Sequence, residues 1–179
     1  SNNIVGNKKL IFSVVRYGNV TGSRGSVIPE FIKQKKNKCF LITHKDMTRF
    51  NISLDESVSM VLWSLKNSFG GEVIVPKLSS FKILDLAKAI DKNLKIKFTG
   101  IRQGEKIHEE LISSADSLYS FDIGKYYIVL QNNPKLINFY KKNFKAKKIK
   151  EGFVYSSNTF NKFLNTQQLK KMYLKYLKL

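Results

Sequence analysis

The sequence predicts an α/β fold, because short apolar β-rich runs alternate with amphipathic helical segments along the chain. A second observation is the run from Leu10 to Phe31, where an apolar strand leads through a loop with three glycines into a helix. In such loops, free backbone N–H groups and the helix dipole face the ligand, so the arrangement is typical of anion sites. A solvated connection between strand and helix is the alternative for this segment.

The predicted elements follow one another in α/β order. The first strand, through Ile11, Phe12, Val14 and Val15, is expected to be buried, and Pro29 lies in the first turn of the next helix. Helix caps are predicted at Ser53, with Glu56 completing a capping box, and at Ser80. The predicted strands are 39–43, 72–75, 94–98 and 126–130, and the predicted helices are 27–36, 54–65, 81–90, 105–112 and 167–179.

The C-terminal part of the sequence contains a lysine-rich segment and a final amphipathic helix. Residues 132–150 are rich in lysine and poorly patterned, so we expect loop with some helix. The last helix carries Leu169, Met172 and Tyr176 on one face, and we expect it to dock on the domain core rather than lie on a membrane.

Length and composition fit one folded domain or part of a larger one, with 179 residues and 42% hydrophobic content. No apolar run is long enough to span a bilayer, and the N-terminus lacks the layout of a signal peptide. Cys39 is the one cysteine, which excludes an intrachain disulfide and a thiolate metal cluster. We therefore expect a reducing, cytoplasmic setting.

The chain is strongly basic, with 32 Lys and Arg against 13 Asp and Glu and a net charge of +19. This charge suggests nucleic acid or an anionic membrane as partner. The lysines are spread from Lys8 to Lys178 rather than gathered in one arm, and a phosphorylated small ligand fits the same charge. A non-catalytic basic module that binds nucleic acid or another polyanion stays open as the alternative function.

Few residues could carry catalysis. Only His44 and His108 are present, so no multi-histidine metal site is available, and His108 is expected on a helix surface or at an interface. Arg49 stands before a capped helix and Arg102 in a tight loop, and the planar fork of arginine matches two phosphate oxygens. An ordinary surface ion pair is the alternative for each arginine taken alone.

Five blocks in this order carry a family likeness: RYGNVTGSRGSVIPEF, MTRFNISLDESV, GGEVIVPK, GIRQGEKIHEEL and FVYSSN. They closely resemble the C-terminal half of the short, soluble UDP-N-acetylglucosamine 4,6-dehydratases (inverting), which are extended short-chain dehydrogenase/reductases. The resemblance implies the last sheet strands of a Rossmann-type fold plus the smaller substrate-binding domain, with the N-terminal dinucleotide-binding half missing. Residues 1–30 would end the Rossmann-type domain, and 31–179 would form mainly the nucleotide-sugar domain, with 72–77 returning as a strand to the Rossmann sheet.

The resemblance also implies a chemistry. In that family NADP takes a hydride from C4 of the sugar, water is eliminated across C5–C6, and the hydride returns to C6 with inversion at C5, for surface polysaccharide or pseudaminic acid-type sugars. The catalytic tyrosine–lysine pair, its acidic partner and the glycine fingerprint would lie upstream of Ser1. We therefore expect no catalytic residue in this chain, no activity from it alone, no metal, and a homo-oligomer when complete.

The same resemblance assigns binding residues. Those expected beside the nicotinamide of NADP are Arg16, Tyr17, Gly18, Asn19 and Val20. Those expected to bind UDP-N-acetylglucosamine or a related UDP-sugar are Asn19, Ser23, Arg24, Gly25, Ser26, Val27, Pro29, Arg49, Arg102 and Glu105. In this assignment Arg49 and Arg102 neutralise the diphosphate, and Glu105 accepts from the ribose hydroxyls. Strands built for burial have lost neighbours, so an exposed apolar edge is expected beside the first strand.

Overall fold

A computed structural model describes residues 10–159 and 162–177 of the chain. The strands are β1 Val14–Val15, β2 Asn19–Val20, β3 Cys39–Ile42, β4 Thr48–Ile52, β5 Val73–Pro76, β6 Ser79–Lys82, β7 Lys95–Phe98, β8 Glu110–Ile112, β9 Ser120–Asp122, β10 Tyr126–Val129, β11 Lys147–Lys148 and β12 Tyr155–Ser156. The helices are α1 Val27–Lys35, α2 Leu54–Asn67, α3 Ile83–Ile90, α4 Ser114–Ser117, α5 Pro134–Phe144 and α6 Thr166–Tyr176.

These elements form two compact units. The first contains the described residues of 1–17, 55–77 and 110–155, and the second those of 18–54, 78–109 and 156–179. The fold is mixed α/β, as the alternating pattern predicts. The assignment of residues 1–30 and 31–179 to two domains of a longer enzyme stays a prediction.

The first unit is built on a five-stranded sheet in the order β1-β5-β10-β9-β11. β1 runs parallel to β5, whereas the other neighbours are antiparallel. Met60 of α2, Ile74 of β5, Ile128 of β10 and Tyr140 of α5 pack together in its core. The lysine-rich segment 132–150 thus contains a full helix, α5, which begins with Pro134 behind the side-chain cap of Asn133.

The first strand is not buried, contrary to the prediction. β1 lies at the edge of the sheet, and Ile11 and Val14 are 58% and 51% exposed. The expected exposed apolar edge is therefore confirmed for the described residues. A second apolar surface lies on α2, where Leu62 and Leu65 are exposed and the buried residues are Ser57, Met60 and Ser64.

The second unit contains a three-stranded sheet, β2-β4-β6, and a two-stranded parallel sheet, β3-β7. Its core gathers Phe31 of α1, Phe40 of β3, Leu86 of α3 and Leu169 of α6. Because Leu169 is fully buried in this core, the prediction that the last helix docks on the domain is confirmed. No helix among residues 10–159 and 162–177 is long and apolar enough to cross a membrane.

Two predicted elements are wrong. Residues 105–112 form no helix: a loop leads into β8, which pairs with β12, so the backbone of Glu110–Ile112 bonds to a distant strand. Ser80 caps no helix, because it lies in β6, where its N–H donates to Lys162 O at 2.9 Å. The N-cap residue of α3 is Lys82.

Candidate functional site

A polar cavity of about 270 Å³ lies within the second unit. It is bounded by β2, α1 with the loop before it, the end of β3, β4, the first residue of α3 and the loop at 102–105. The lining residues are Asn19, Gly25, Ser26, Val27, Glu30, Phe31, Gln34, Leu41, Ile42, Thr43, Met47, Arg49, Ile83, Arg102 and Glu105. Loops and strand ends from four separate parts of the sequence therefore converge on one space.

Seven of the ten residues expected to bind the nucleotide sugar line this cavity: Asn19, Gly25, Ser26, Val27, Arg49, Arg102 and Glu105. Ser23 and Pro29 instead line a more apolar cavity of about 700 Å³ in the same unit. Arg24 is exposed and lines neither cavity. Of the residues expected beside the nicotinamide, Asn19 lines the first cavity and Val20 the second.

The N-terminus of α1 forms one wall of the polar cavity. Ser26 is the N-cap residue, but its side chain makes no capping bond, and its buried Oγ has no partner among the described residues. The first N–H groups of a helix have no intrahelical acceptor, and the helix dipole favours negative charge at this end. An anion at this wall would satisfy both the Ser26 hydroxyl and the helix terminus.

Arg49 is held firmly at the cavity wall by β4. Its Nη1 donates to Thr48 O at 2.7 Å and to Ile107 O at 3.1 Å, and its Nη2 lies 3.1 Å from Met47 Sδ. The Arg49 side chain is only 15% exposed. Because this side chain is already ordered, binding of an anion would cost little further side-chain entropy.

Arg102 and Glu105 form a tight turn that also lines the cavity. The backbone N–H of Glu105 donates to Arg102 O at 3.0 Å, and the N–H of Arg102 donates to Glu105 Oε2 at 3.2 Å. Glu105 Oε1 also accepts from Thr43 Oγ1 at 3.2 Å. Among the described residues none bonds to the Arg102 guanidinium, which is exposed and therefore available to a ligand.

Glu109 is a residue of this region that the sequence did not single out. Its Oε1 accepts from Asn19 Nδ2 at 2.5 Å, its Oε2 accepts from the N–H of Phe50 at 2.7 Å, and Arg49 Nε lies 3.9 Å from Oε1. Burial raises the pKa of the Glu109 carboxyl, although the N–H of Phe50 and the charge of Arg49 act against this. The local sequence around Glu109 does not predict these contacts, because all of them are made with residues distant in the sequence.

A buried hydroxyl network lies behind Glu109. Thr48 Oγ1 is 2.7 Å from Ser157 Oγ and 2.8 Å from His108 Nδ1. His108 thus lies in a loop and contacts β4, so its predicted position on a helix surface is wrong, while the alternative of an interface stays a prediction. Burial, with Arg49 nearby, lowers the pKa of His108 and so favours the neutral imidazole.

Arg16 is engaged within the first unit. Its Nη1 donates to Asp116 Oδ2 at 2.8 Å and to Leu111 O at 3.0 Å. No group of three or more His, Cys, Asp or Glu in the described parts of the chain could hold a metal ion. Cys39 is free and partly buried in β3.

The mixed α/β fold corresponds to part of an extended short-chain dehydrogenase/reductase, as the resemblance implies. A structure described as the X-ray structure of Pen from Bacillus thuringiensis matches with a TM-score of 0.83 and 29% identity, over 98% of this chain and 53% of that chain. The UDP-N-acetylglucosamine 4-epimerase of Methanobrevibacter ruminantium, solved with UDP-N-acetylmuramic acid, is 17% identical with a TM-score of 0.54, over 99% of this chain and 49% of that chain. It shows likeness of fold alone.

The chain belongs to the family described as polysaccharide biosynthesis protein, which matches residues 1–131. It is 44% identical over 178 residues to UDP-N-acetylglucosamine 4,6-dehydratase (inverting) of Campylobacter jejuni, covering 94% of this chain and 53% of that protein. It is also 40% identical over 173 residues to UDP-glucose 4-epimerase of Rickettsia bellii, covering 93% and 50%. The resemblance to the dehydratases is thus confirmed, and the chain spans about half the length of these relatives.

Proposed function

We propose that this chain is the nucleotide-sugar-binding half of a UDP-N-acetylglucosamine 4,6-dehydratase. The observation that carries the proposal is the convergence of seven expected binding residues on one polar cavity. The family and the 44% identity to a protein named for this activity support it. We also propose that the complete enzyme is a cytoplasmic homo-oligomer and that it acts in the synthesis of surface polysaccharide or pseudaminic acid-type sugars.

In this proposal the cavity binds the diphosphate of the nucleotide sugar. Arg49 and Arg102 both line the cavity, and each can give a charge-assisted hydrogen bond to phosphate oxygens. The N-terminus of α1, with the unpartnered Oγ of Ser26, supplies neutral donors. Glu105 is the acceptor for the ribose hydroxyls.

The bound NADP would take the hydride from C4 and return it to C6, after water leaves across C5–C6 with inversion at C5. Arg16, Tyr17, Gly18, Asn19 and Val20 are the residues of this chain proposed to lie beside it. The Arg16 guanidinium is already bonded to Asp116 and Leu111 O, so Arg16 would contact the cofactor through its backbone. The acid and the base of the reaction belong to the half of the relatives that this chain does not span, and the chain alone is expected to be inactive.

A second candidate function is favoured by the identity to UDP-glucose 4-epimerase of Rickettsia bellii. The binding half of a UDP-sugar 4-epimerase would use the same cavity for the same diphosphate. The two candidates differ in the preferred sugar, because only UDP-N-acetylglucosamine carries the acetamido group. Comparing the affinity of the chain for UDP-glucose with that for UDP-N-acetylglucosamine separates them.

Substitution of the available arginine tests the proposal. Arg102→Ala is expected to weaken binding of UDP-N-acetylglucosamine about 10- to 100-fold, since a hydrogen bond between charged groups is lost. Isothermal titration calorimetry of the 179-residue chain gives the dissociation constants. Lys106→Ala is the matched control, because Lys106 is exposed, close in sequence and absent from the cavity lining. Equal affinity of the Arg102→Ala and wild-type chains would refute the diphosphate assignment.

Arg49→Ala serves as a second substitution. It removes a second positive charge from the cavity lining, but it also removes the bonds to Thr48 O and Ile107 O. Its binding data are therefore read together with the melting temperature. A folded Arg49→Ala chain with wild-type affinity would contradict the role given to β4.

A further inference from the structure

Glu109 stands behind the cavity wall rather than in it. It is absent from the lining residues, yet its carboxylate bonds to Asn19 Nδ2 at 2.5 Å and lies 3.9 Å from Arg49 Nε, and both of these residues line the cavity. The other carboxylate oxygen accepts from the N–H of Phe50 in β4 at 2.7 Å. One side chain thus joins Asn19 of β2 to Arg49 and Phe50 of β4.

The backbone of Glu109 is itself fixed. Its N–H donates to Ser157 Oγ at 2.9 Å, and its carbonyl accepts from the N–H of Ser157 at 2.8 Å and from Ser156 Oγ at 2.9 Å. Ser157 is fully buried and also bonds to Thr48 at the start of β4. The carboxylate is therefore held in place by a buried segment and does not depend on its own rotamer preference.

Only a carboxylate suits this position. Both oxygens receive an N–H donor, and an ionised carboxylate is acceptor-only. A glutamine would turn its NH₂ group toward one of these donors, and a protonated carboxyl would turn its O–H toward one of them. The Glu109 side chain is 23% exposed. Its bond to the N–H of Phe50 is partly buried whereas its bond to Asn19 is exposed, so the Phe50 partner is the costlier one to lose.

We infer that Glu109 is a positioning residue, which holds the Asn19 and Arg49 side chains in the geometry that binds the nucleotide sugar. The inference rests on the proposed function, and it concerns a residue that does not line the cavity. Among the described residues, Arg49 is the charged group that faces Glu109 from β4. Asn19 from β2 and Ser157 from the last segment contribute neutral groups, and His108 is turned to Thr48.

The burial of Glu109 predicts the direction in which the affinity for the nucleotide sugar changes with pH. Because the pKa of Glu109 lies above the ordinary value of 4.5, the carboxylate is lost at a higher pH than that of an exposed glutamate. Loss of the negative charge removes one of its two hydrogen bonds. The affinity for UDP-N-acetylglucosamine is therefore expected to fall as the pH falls toward this pKa. The diphosphate diester itself has no group that titrates in this range.

The experiment measures the affinity for UDP-N-acetylglucosamine between about pH 4.5 and 8 in three proteins, the wild type, Glu109→Gln and Glu110→Gln. Glu109→Gln is expected to bind about tenfold more weakly at neutral pH, and its affinity should fall less than that of the wild type as the pH is lowered. Glu110→Gln is the matched control, because Glu110 is the exposed neighbour. Wild-type affinity and pH profile in a folded Glu109→Gln chain would overturn the inference.

A second measurement needs no substitution at Glu109. The side-chain NH₂ resonances of Asn19, assigned with an Asn19→Ala variant, are expected to shift with pH at the midpoint of the Glu109 carboxyl titration. Resonances that stay constant through that titration would overturn the contact on which the inference rests. Failure of the wild type to bind the nucleotide sugar would instead refute the proposed function, so the two failures are distinguishable.

Discussion

Two arginine–carboxylate pairs of this chain have pKa shifts of opposite direction, because burial dominates at Glu109 and hydrogen bonding dominates at Asp116. For Glu109, burial outweighs its hydrogen bonds and raises the pKa. For Asp116, burial also acts to raise the pKa, but the hydrogen bond from Arg16 and those from Ser113 outweigh it, so the pKa is lowered. Asp116 also completes the capping box of α4 with Ser113. Asp116 therefore stabilises the fold in its charged form.

Asp116→Asn is expected to destabilise the chain by about 1 kcal/mol at neutral pH, since it weakens a capping box and a half-exposed ion pair. Urea unfolding measures the loss. A lowered pKa means that the stabilisation is present above the ordinary value of 3.8 and is lost as the pH falls through the lowered pKa. The difference between the two proteins must therefore narrow below pH 3.8. Glu151→Gln, at an exposed turn, is the control, and an equal loss at every pH would contradict the account.

At the scale of elements, the last helix, α6, packs against Gly22 in the loop that precedes α1 and restrains this loop. Tyr176 of α6 packs over Gly22, where a Cβ atom would lie only 2.2 Å from Tyr176 Cδ2. Gly22 also has a φ of +76°, which L side chains rarely adopt. Gly25 has a similar φ of +79° but open space around its Cα, so the two glycines separate backbone strain from steric overlap.

Gly22→Ala is therefore expected to cost about 1–3 kcal/mol more stability than Gly25→Ala, because it adds an overlap to the same backbone strain. Thermal and urea unfolding of both variants measures the difference. Because Tyr176 also packs against the core, the rescue is measured within the Tyr176→Ala background, where Gly22→Ala should cost no more stability than Gly25→Ala. Equal destabilisation by the two glycine substitutions in the otherwise wild-type chain would show that Tyr176 does not restrain the loop.

The spacing of apolar residues was sufficient to predict those helices and strands whose formation depends mainly on their own sequence. The helices at 27–35 and 83–90 and the strands at 39–42 and 95–98 lie where the apolar spacing predicts. The prediction of a helix at 105–112 is wrong because Glu109 bonds to Ser156 and Ser157, which lie far along the chain. Arg49, Arg102 and Glu105 could be selected because loop arginines and carboxylates suggest phosphate and sugar, whereas Glu109 depends on tertiary contacts alone.

At the scale of the whole molecule, charge and exposed apolar surface bear on function. The net charge of +19 favours any polyanion, so a basic module that binds nucleic acid is the rival account. Exposed apolar residues at β1 and on α2, such as Val14 and Leu65, are unlike the charged surface that nucleic acid requires. The chain also spans only about half of the relatives it matches.

Titration of the 179-residue chain with UDP-N-acetylglucosamine and with single-stranded DNA, at about 50 and 200 mM salt, tests the central claim most directly. ADP-glucose, which carries the same diphosphate charge, is the control ligand. We predict saturable one-to-one binding of UDP-N-acetylglucosamine at both salt concentrations, with weaker binding of ADP-glucose and DNA binding that is lost at the higher salt. A folded chain that binds DNA at both salt concentrations and does not bind UDP-N-acetylglucosamine would contradict the account.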